Sequence, residues 1–208
     1  MTHKGITSQI VRDIMLQLKE YMESDIEDSV AIDLPDSDNF YYKKIYGVTC
    51  DFVVELYLTK TTEDKYMIIG DAPGVIEEDN IRIGIYANPE NYKTQLSEIY
   101  FNLIYTVRHE LEHLFQVISY YSRGTYQSRK KYRGDSLATL MKQWELEPQT
   151  LGYHLQSKKE NKPFETVVLE HLSKLEKNNQ IKFKSEDRKN ILVDELIHCA
   201  KILNLKLN

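Results

Sequence analysis

The chain has 208 residues, enough for one well-buried core or for a core with a small appended subdomain. Hydrophobic residues make up 41% and charged residues 28%, which excludes a collagen-like, disordered or rod-like coiled-coil protein. The net charge of -5 argues against a general nucleic-acid binder. The basic stretch from Arg129 to Arg133 is the local exception, and an exposed loop explains it more simply than a nucleic-acid contact does.

Cysteine content and the absence of long apolar runs indicate a compartment. Cys50 and Cys199 are the only cysteines, and a secreted domain that relies on disulfides would normally carry more. The N-terminal residues have no apolar run of signal-peptide length, and no stretch approaches the roughly 18–20 apolar residues needed to span a bilayer. We therefore expect a cytoplasmic protein with reduced thiols and no membrane partner.

The first part of the chain is predicted to form a helix followed by a small sheet. Apolar residues recur at helical spacing from Thr7 to about Glu27, which predicts an amphipathic helix. The turn-forming residues in Ile32–Asn39 predict a loop. Three short segments that are rich in β-branched and aromatic residues then predict strands at Asp51–Thr59, Lys65–Ile69 and Ile81–Ala87.

A long helix is predicted over about Lys93–Tyr121, because its apolar residues form one continuous stripe suited to packing on the sheet. The polar and basic segment Ser122–Gly134 predicts an exposed excursion. The fold class is therefore α+β, with a small mixed β-sheet packed on a long helix and a helical C-terminal part. The four predicted helices of that part are Ser136–Gln143, Glu145–Ser157, Pro163–Lys177 and Ser185–Leu205.

The long helix contains the sequence His109-Glu110-Leu111-Glu112-His113, which matches the pattern H-E-x-x-H. Residues four apart share one face of a helix, so both imidazoles can reach one zinc ion at Zn–N distances of about 2.0–2.1 Å. Glu110 lies about 100° around the helix from His109 and about 60° from His113. This position lets its carboxylate act as a general base on a zinc-activated water without being a ligand.

A catalytic zinc usually has three protein ligands, so a third ligand is expected downstream. The pattern H-E-x-x-H-x-x-G-x-x-H is excluded, because Gln116 and Ser119 occupy the positions where it requires glycine and histidine. The remaining candidates lie in the segment from residue 144 to residue 154, which offers Glu145, Glu147 and His154. A hydrogen bond from His154 to a developing oxyanion is a further option.

The segment around Glu147 is similar to the E-x-E-A-x-x-x-A helix of gluzincins, particularly the short intracellular metallopeptidases of the ImmA/IrrE type. In that family the second glutamate is the third zinc ligand, and Glu147 matches its position. Pro148 departs from the usual alanine, which is compatible with a helix that begins near Glu145 because proline is tolerated in a first turn. The resemblance covers about residues 93–155 and leaves Glu145 open as an alternative.

We expect residues 161–208 to form a helical extension packed on the same domain as residues 1–160, which the resemblance predicts to be zincin-like. It also implies that an edge strand lies alongside the substrate, and Ile81–Ala87 is the candidate for that strand, binding peptides by strand addition. His171 and His198 lie at helical positions, where a structural histidine is more common than a ligand.

Together these features predict a zinc-dependent metallopeptidase, with zinc held by His109, His113 and Glu147 and with Glu110 as the base. The expected partner is a peptide or protein substrate. The alternative is a catalytically inactive protein that keeps the zincin scaffold for a structural or regulatory binding role. Glu110 argues against the alternative, because a purely structural site needs ligands but no base.

Overall fold

A computed structural model describes residues 3–35, 41–45, 48–72, 80–122, 143–178, 180–183 and 186–207. The chain divides into two compact units, Met1–Ser128 and Arg129–Asn208. The segment around Glu147 belongs to the second unit, together with the C-terminal helices. Residues 136–142 of the predicted helix Ser136–Gln143 lie outside the described residues. Gln143, its last residue, begins the described helix that follows.

Two helices of the first unit carry its buried apolar faces. Helix α1 spans His3–Glu23 and α2 spans Tyr92–Ser122, which matches the predicted long helix to within one residue at each end. Apolar residues spaced by three or four positions place one face of each helix in the core. The fully buried members of these faces are Ile10, Ile14, Leu18, Ile99, Leu103, Val107 and Leu111.

The first unit also contains a five-stranded mixed sheet built around its longest strand. The strands are β1 (Val30–Leu34), β2 (Tyr41–Ile45), β3 (Val48–Lys60), β4 (Met67–Asp71) and β5 (Asn80–Ala87). Both β1 and β2 pair antiparallel with β3, at successive parts of it. On the other side of β3 lies β5, which is parallel to it, and β4 pairs antiparallel with β5.

Alternation along the strands gives the sheet one apolar face. Leu56 of β3 pairs with Ile83 of β5, and both side chains are fully buried. Their chain neighbours point to the opposite face, as the two-residue period of a strand requires. Helix α2 packs against β4 and β5 and α1 against β3, so the core of the first unit lies between this face and the two helices. The predicted α+β class with a mixed sheet on a long helix is thus confirmed.

Two sequence-based predictions about the sheet are wrong. Ile81–Ala87 is not an edge strand, because β5 lies between β3 and β4. In the described part of the chain, β4 is the strand at that edge. The first residues of the predicted loop, from Ile32 to Leu34, instead belong to β1, in which Leu34 is buried and Asp33 is exposed. Pairing with β3 overrides the local turn preference of this stretch.

The second unit consists of three helices in its described part, namely α3 (Gln143–Glu160), α4 (Phe164–Lys177) and α5 (Glu186–Ile202). Pro148 lies inside α3, five residues after its first residue, so it sits deeper than the predicted first turn. The helix passes through this position without a backbone N–H to donate to the carbonyl of Trp144. None of the described helices has the length and apolar character that a bilayer crossing requires.

Candidate metal centre

His109 and His113 lie one turn apart on α2, with their ring nitrogens turned toward each other. The two Nε2 atoms are 3.0 Å apart, and the ring centroids are 4.5 Å apart with the planes nearly perpendicular at 88°. Two nitrogens bound to the same tetrahedral zinc at about 2.0–2.1 Å lie about 3.3 Å from each other. The pair therefore fits two corners of one zinc site with a small adjustment of the rings.

Contacts on the far sides of the rings favour this orientation. His113 Nδ1 lies 3.3 Å from Gln116 Oε1, which can accept a hydrogen bond from the protonated Nδ1. A histidine protonated at Nδ1 keeps the lone pair on Nε2, the atom that faces His109. The ring of Tyr105 stacks on His109, with centroids 5.7 Å apart and planes 27° from parallel. Gln116 and Tyr105 thus orient the two candidate ligands from outside.

Glu110 occupies the position that a general base needs beside such a pair. Its Oε1 atom lies 3.9 Å from His109 Nε2, and the residue is only 7% exposed. A carboxylate oxygen at this distance from a ligand nitrogen can accept a proton from a water that approaches the same ion. The helix therefore supplies two candidate ligands and one candidate base from a single turn of backbone.

Charged side chains elsewhere in this turn are also buried. Arg108 and Glu112 form an ion pair between successive turns of α2, and the two side chains are 9% and 10% exposed. Burying ionisable groups is costly unless they are paired. A helix segment that buries Arg108, Glu110, Glu112 and His113 together is unusual for a purely structural element, and such concentrations mark candidate functional sites.

The other predicted ligands lie on α3 in the second unit. Burial is the main cause that raises the pKa of the Cys199 thiol on α5. A hydrogen bond with Thr150 lowers this pKa, and the negative charge of Glu147 raises it. Glu147 therefore lies close enough to Cys199 for its charge to act on the thiol. Glu145 precedes it by two residues, about 200° around the helix, and so lies on another side of α3.

His154 is occupied within the second unit. Its Nε2 atom lies 3.1 Å from the backbone oxygen of Lys206, near the C-terminus. Nε2 donates a hydrogen bond to this carbonyl, so in that state it has no lone pair for a metal. Its predicted alternatives, a zinc ligand or an oxyanion donor through Nε2, would require the contact with Lys206 to open.

One neighbour of Glu110 was missed from the sequence. Gly70 on β4 lies against the carboxylate of Glu110 and against Thr106, one turn earlier on α2. The predicted strand ended at Ile69, just before it. A glycine inside a strand often marks the close approach of another part of the chain, and that signal would have singled out Gly70 had the strand been extended by two residues.

Searches of protein-family models, of curated proteins and of solved structures found no match to this chain. The similarity to gluzincins therefore depends on the residues of α2 and α3 described above.

Proposed function

We propose that the chain is a zinc-dependent peptidase in which His109 and His113 bind the metal and Glu110 is the general base. The observation that carries the proposal is the 3.0 Å separation of the two Nε2 atoms on α2. The carboxylate of Glu110, 3.9 Å from His109 Nε2, adds the base that a purely structural site would not need.

The third ligand in this proposal is a carboxylate from the beginning of α3. Together with His109 and His113, such a carboxylate would complete a donor set of two imidazoles and one carboxylate. The same set is typical of hydrolytic zinc sites with an open fourth position. Glu147 is the ligand that the gluzincin resemblance implies, whereas the action of its charge on Cys199 within the second unit favours Glu145.

Zinc, when bound, supplies Lewis-acid polarisation of a carbonyl and makes a nearby water more acidic. The protein's own part in the reaction falls mainly to Glu110. Its carboxylate accepts a proton from the attacking water and then delivers that proton to the leaving nitrogen of the cleaved bond. Burial of Glu110 keeps bulk water away from this transfer and strengthens its electrostatic coupling to the site.

A peptide is the substrate class that the neighbouring sheet favours. The edge strand β4 packs on α2 and brings Gly70 against Glu110. An extended peptide that added to the edge of β4 that no described strand pairs with would form backbone hydrogen bonds as a further strand. Its scissile bond could then lie close to Glu110, which makes β4 the proposed substrate strand in place of β5.

The proposal is tested by comparing the wild-type protein with Glu110→Gln after loading with zinc. Both proteins are expected to retain about one zinc per chain in metal analysis, because Glu110 is not a ligand. Hydrolysis of a fluorescently labelled library of mixed peptides should be about 10²- to 10⁴-fold slower in the variant. Equal hydrolysis by both proteins would contradict the role of Glu110. Zinc retention without any hydrolysis by the wild type would favour the scaffold role.

A further inference from the structure

Gly70, on the edge strand β4, packs closely against Glu110, the proposed base. A β-carbon placed on Gly70 would lie 2.6 Å from Glu110 Oε1 and 2.8 Å from Glu110 Cγ. It would also lie 2.7 Å from Thr106 Cγ2, one helical turn before Glu110. All three distances are shorter than side-chain carbons tolerate in proteins, so only glycine fits between the strand and this part of α2.

The crowding cannot be relieved by turning the carboxylate alone. Glu110 Cγ is held close to the helix backbone, and the methyl group of Thr106 belongs to a β-branched side chain that is restricted to two favoured rotamers in a helix. An added methyl at position 70 must therefore either rotate Glu110 into another rotamer or push β4 away from α2. In the first case the carboxylate leaves its present distance of 3.9 Å from His109 Nε2, and in the second it loses its packing contact with the backbone of β4.

The location of Gly70 gives this contact a specific role. In β4 it pairs with Ile83, whose side chain is fully buried, so position 70 faces α2 and not the outer surface of the sheet. The backbone at this position therefore closes over the base from the sheet side. A β-carbon placed on Gly84, on the neighbouring strand β5, would meet no atom closer than 3.7 Å, which is ordinary van der Waals contact.

We infer that Gly70 is a positioning residue for the Glu110 carboxylate. Because Gly70 has no side chain, the backbone of β4 packs directly against Glu110 and holds its side chain in one rotamer between β4 and α2. The catalytic half of this inference rests on the proposed peptidase function. The steric half does not, because it concerns only the packing of β4 on α2. The two halves can therefore be tested by separate measurements on the full chain.

The steric half is tested by thermal unfolding of Gly70→Ala. We expect a decrease in Tm of about 4–8 °C, which is the range for overpacking a tight site in a chain of this size. Placing the same substitution in a Glu110→Ala background should reduce that decrease to about half or less, since two of the three crowded atoms are then absent. Gly84→Ala is the matched control, and its Tm should stay within about 2 °C of the wild type.

The catalytic half is tested with zinc-loaded Gly70→Ala acting on the labelled peptide library. Zinc content should equal that of the wild type, while kcat falls about 10- to 100-fold and KM changes by less than about twofold. Gly84→Ala should keep the wild-type kcat. A loss confined to zinc content or to KM would overturn the positioning role, as would an unchanged kcat in an active enzyme.

The stability measurement decides the inference even if no peptide is cleaved. A Tm decrease of the same size in the wild-type and Glu110→Ala backgrounds would show that position 70 does not constrain Glu110, and the inference would then be wrong. A wild type that binds zinc but cleaves nothing would instead remove the proposed function, while a coupled loss of Tm would keep the steric constraint.

Discussion

Tyr105 stacks on His109 from the preceding turn of α2, with ring centroids 5.7 Å apart and planes 27° from parallel. This contact holds the imidazole in the orientation that brings its Nε2 atom within 3.0 Å of His113 Nε2. We expect Tyr105→Leu to weaken zinc binding about 3- to 10-fold, because an aromatic pair contributes about 0.5–1.5 kcal/mol beyond the area it buries. Competition with a chromogenic zinc chelator measures this change.

Tyr105→Phe is the matched control for that measurement, since it keeps the stacked ring and removes only the hydroxyl. Its zinc affinity should exceed that of Tyr105→Leu. Equal affinities in the two variants would mean that stacking does not orient His109.

The third ligand is addressed by a pair of isosteric variants on α3. We expect Glu145→Gln to lower zinc affinity at least about 100-fold, more than the loss of an outer contact costs, because a carboxylate ligand is then lost. Glu147→Gln should lower it less than about tenfold, since the charge of Glu147 acts on Cys199 within the second unit. The reverse ranking would assign the ligand to Glu147, as the gluzincin resemblance implies.

The features that could be predicted from the sequence are those with a strong local period. The apolar stripe of α2 fixed its bounds to within one residue, and H-E-x-x-H placed His109 and His113 on one face. Strand β3 was also predicted, because its β-branched and aromatic residues give a dense local signal. In each case the residues that decide the structure lie within one or two turns or strands of each other.

Features set by distant pairing could not be predicted in this way. Whether β4 or β5 lies at the edge depends on which strand pairs with β3, and no residue within either strand encodes that choice. The approach of Gly70 to Glu110 joins positions 40 residues apart on two elements. The rotational position of Glu147 relative to α5 depends on the packing of the second unit, which is why Glu145 and Glu147 stayed open.

The second unit has a pH dependence of its own through His171 on α4. Burial is the main cause that lowers the pKa of His171 to about 4, with a smaller contribution from Lys174, and its ring lies 5.4 Å from that of Tyr153. In the unfolded chain the pKa is about 6.5. The unfolded state therefore binds more protons between these values, so the stabilising contribution is complete above about pH 6.5 and is lost as the pH falls toward 4.

Between pH 6.5 and 4 the free energy of unfolding is expected to fall by on the order of 2–3 kcal/mol. His171→Phe should remove this part of the slope of the unfolding free energy against pH. Urea unfolding at a series of pH values measures it, with EDTA present so that zinc release does not contribute. His198→Phe, at an exposed position on α5, is the control for the substitution itself. An unaltered slope in His171→Phe would show that His171 is not the group responsible.

The ion pair between Arg108 and Glu112 predicts a strong coupling between two buried positions of α2. Glu112→Gln leaves the Arg108 guanidinium without its carboxylate, and breaking a buried pair costs about 3–5 kcal/mol. Replacing both residues, as in Arg108→Leu with Glu112→Leu, removes both charges and is expected to cost less than Glu112→Gln alone. Urea unfolding of Arg108→Leu, Glu112→Leu and the double variant that combines them measures this coupling.

The comparison also separates stability from the metal centre, since each charged residue directly precedes one of the histidines. If the pair only stabilises α2, the double variant should bind zinc as the wild type does, because His109 and His113 stay on the same helix face. Additive losses from the two single substitutions would mean that Arg108 and Glu112 are not coupled. A double variant that is stable but binds zinc weakly would instead assign the pair a part in orienting the histidines.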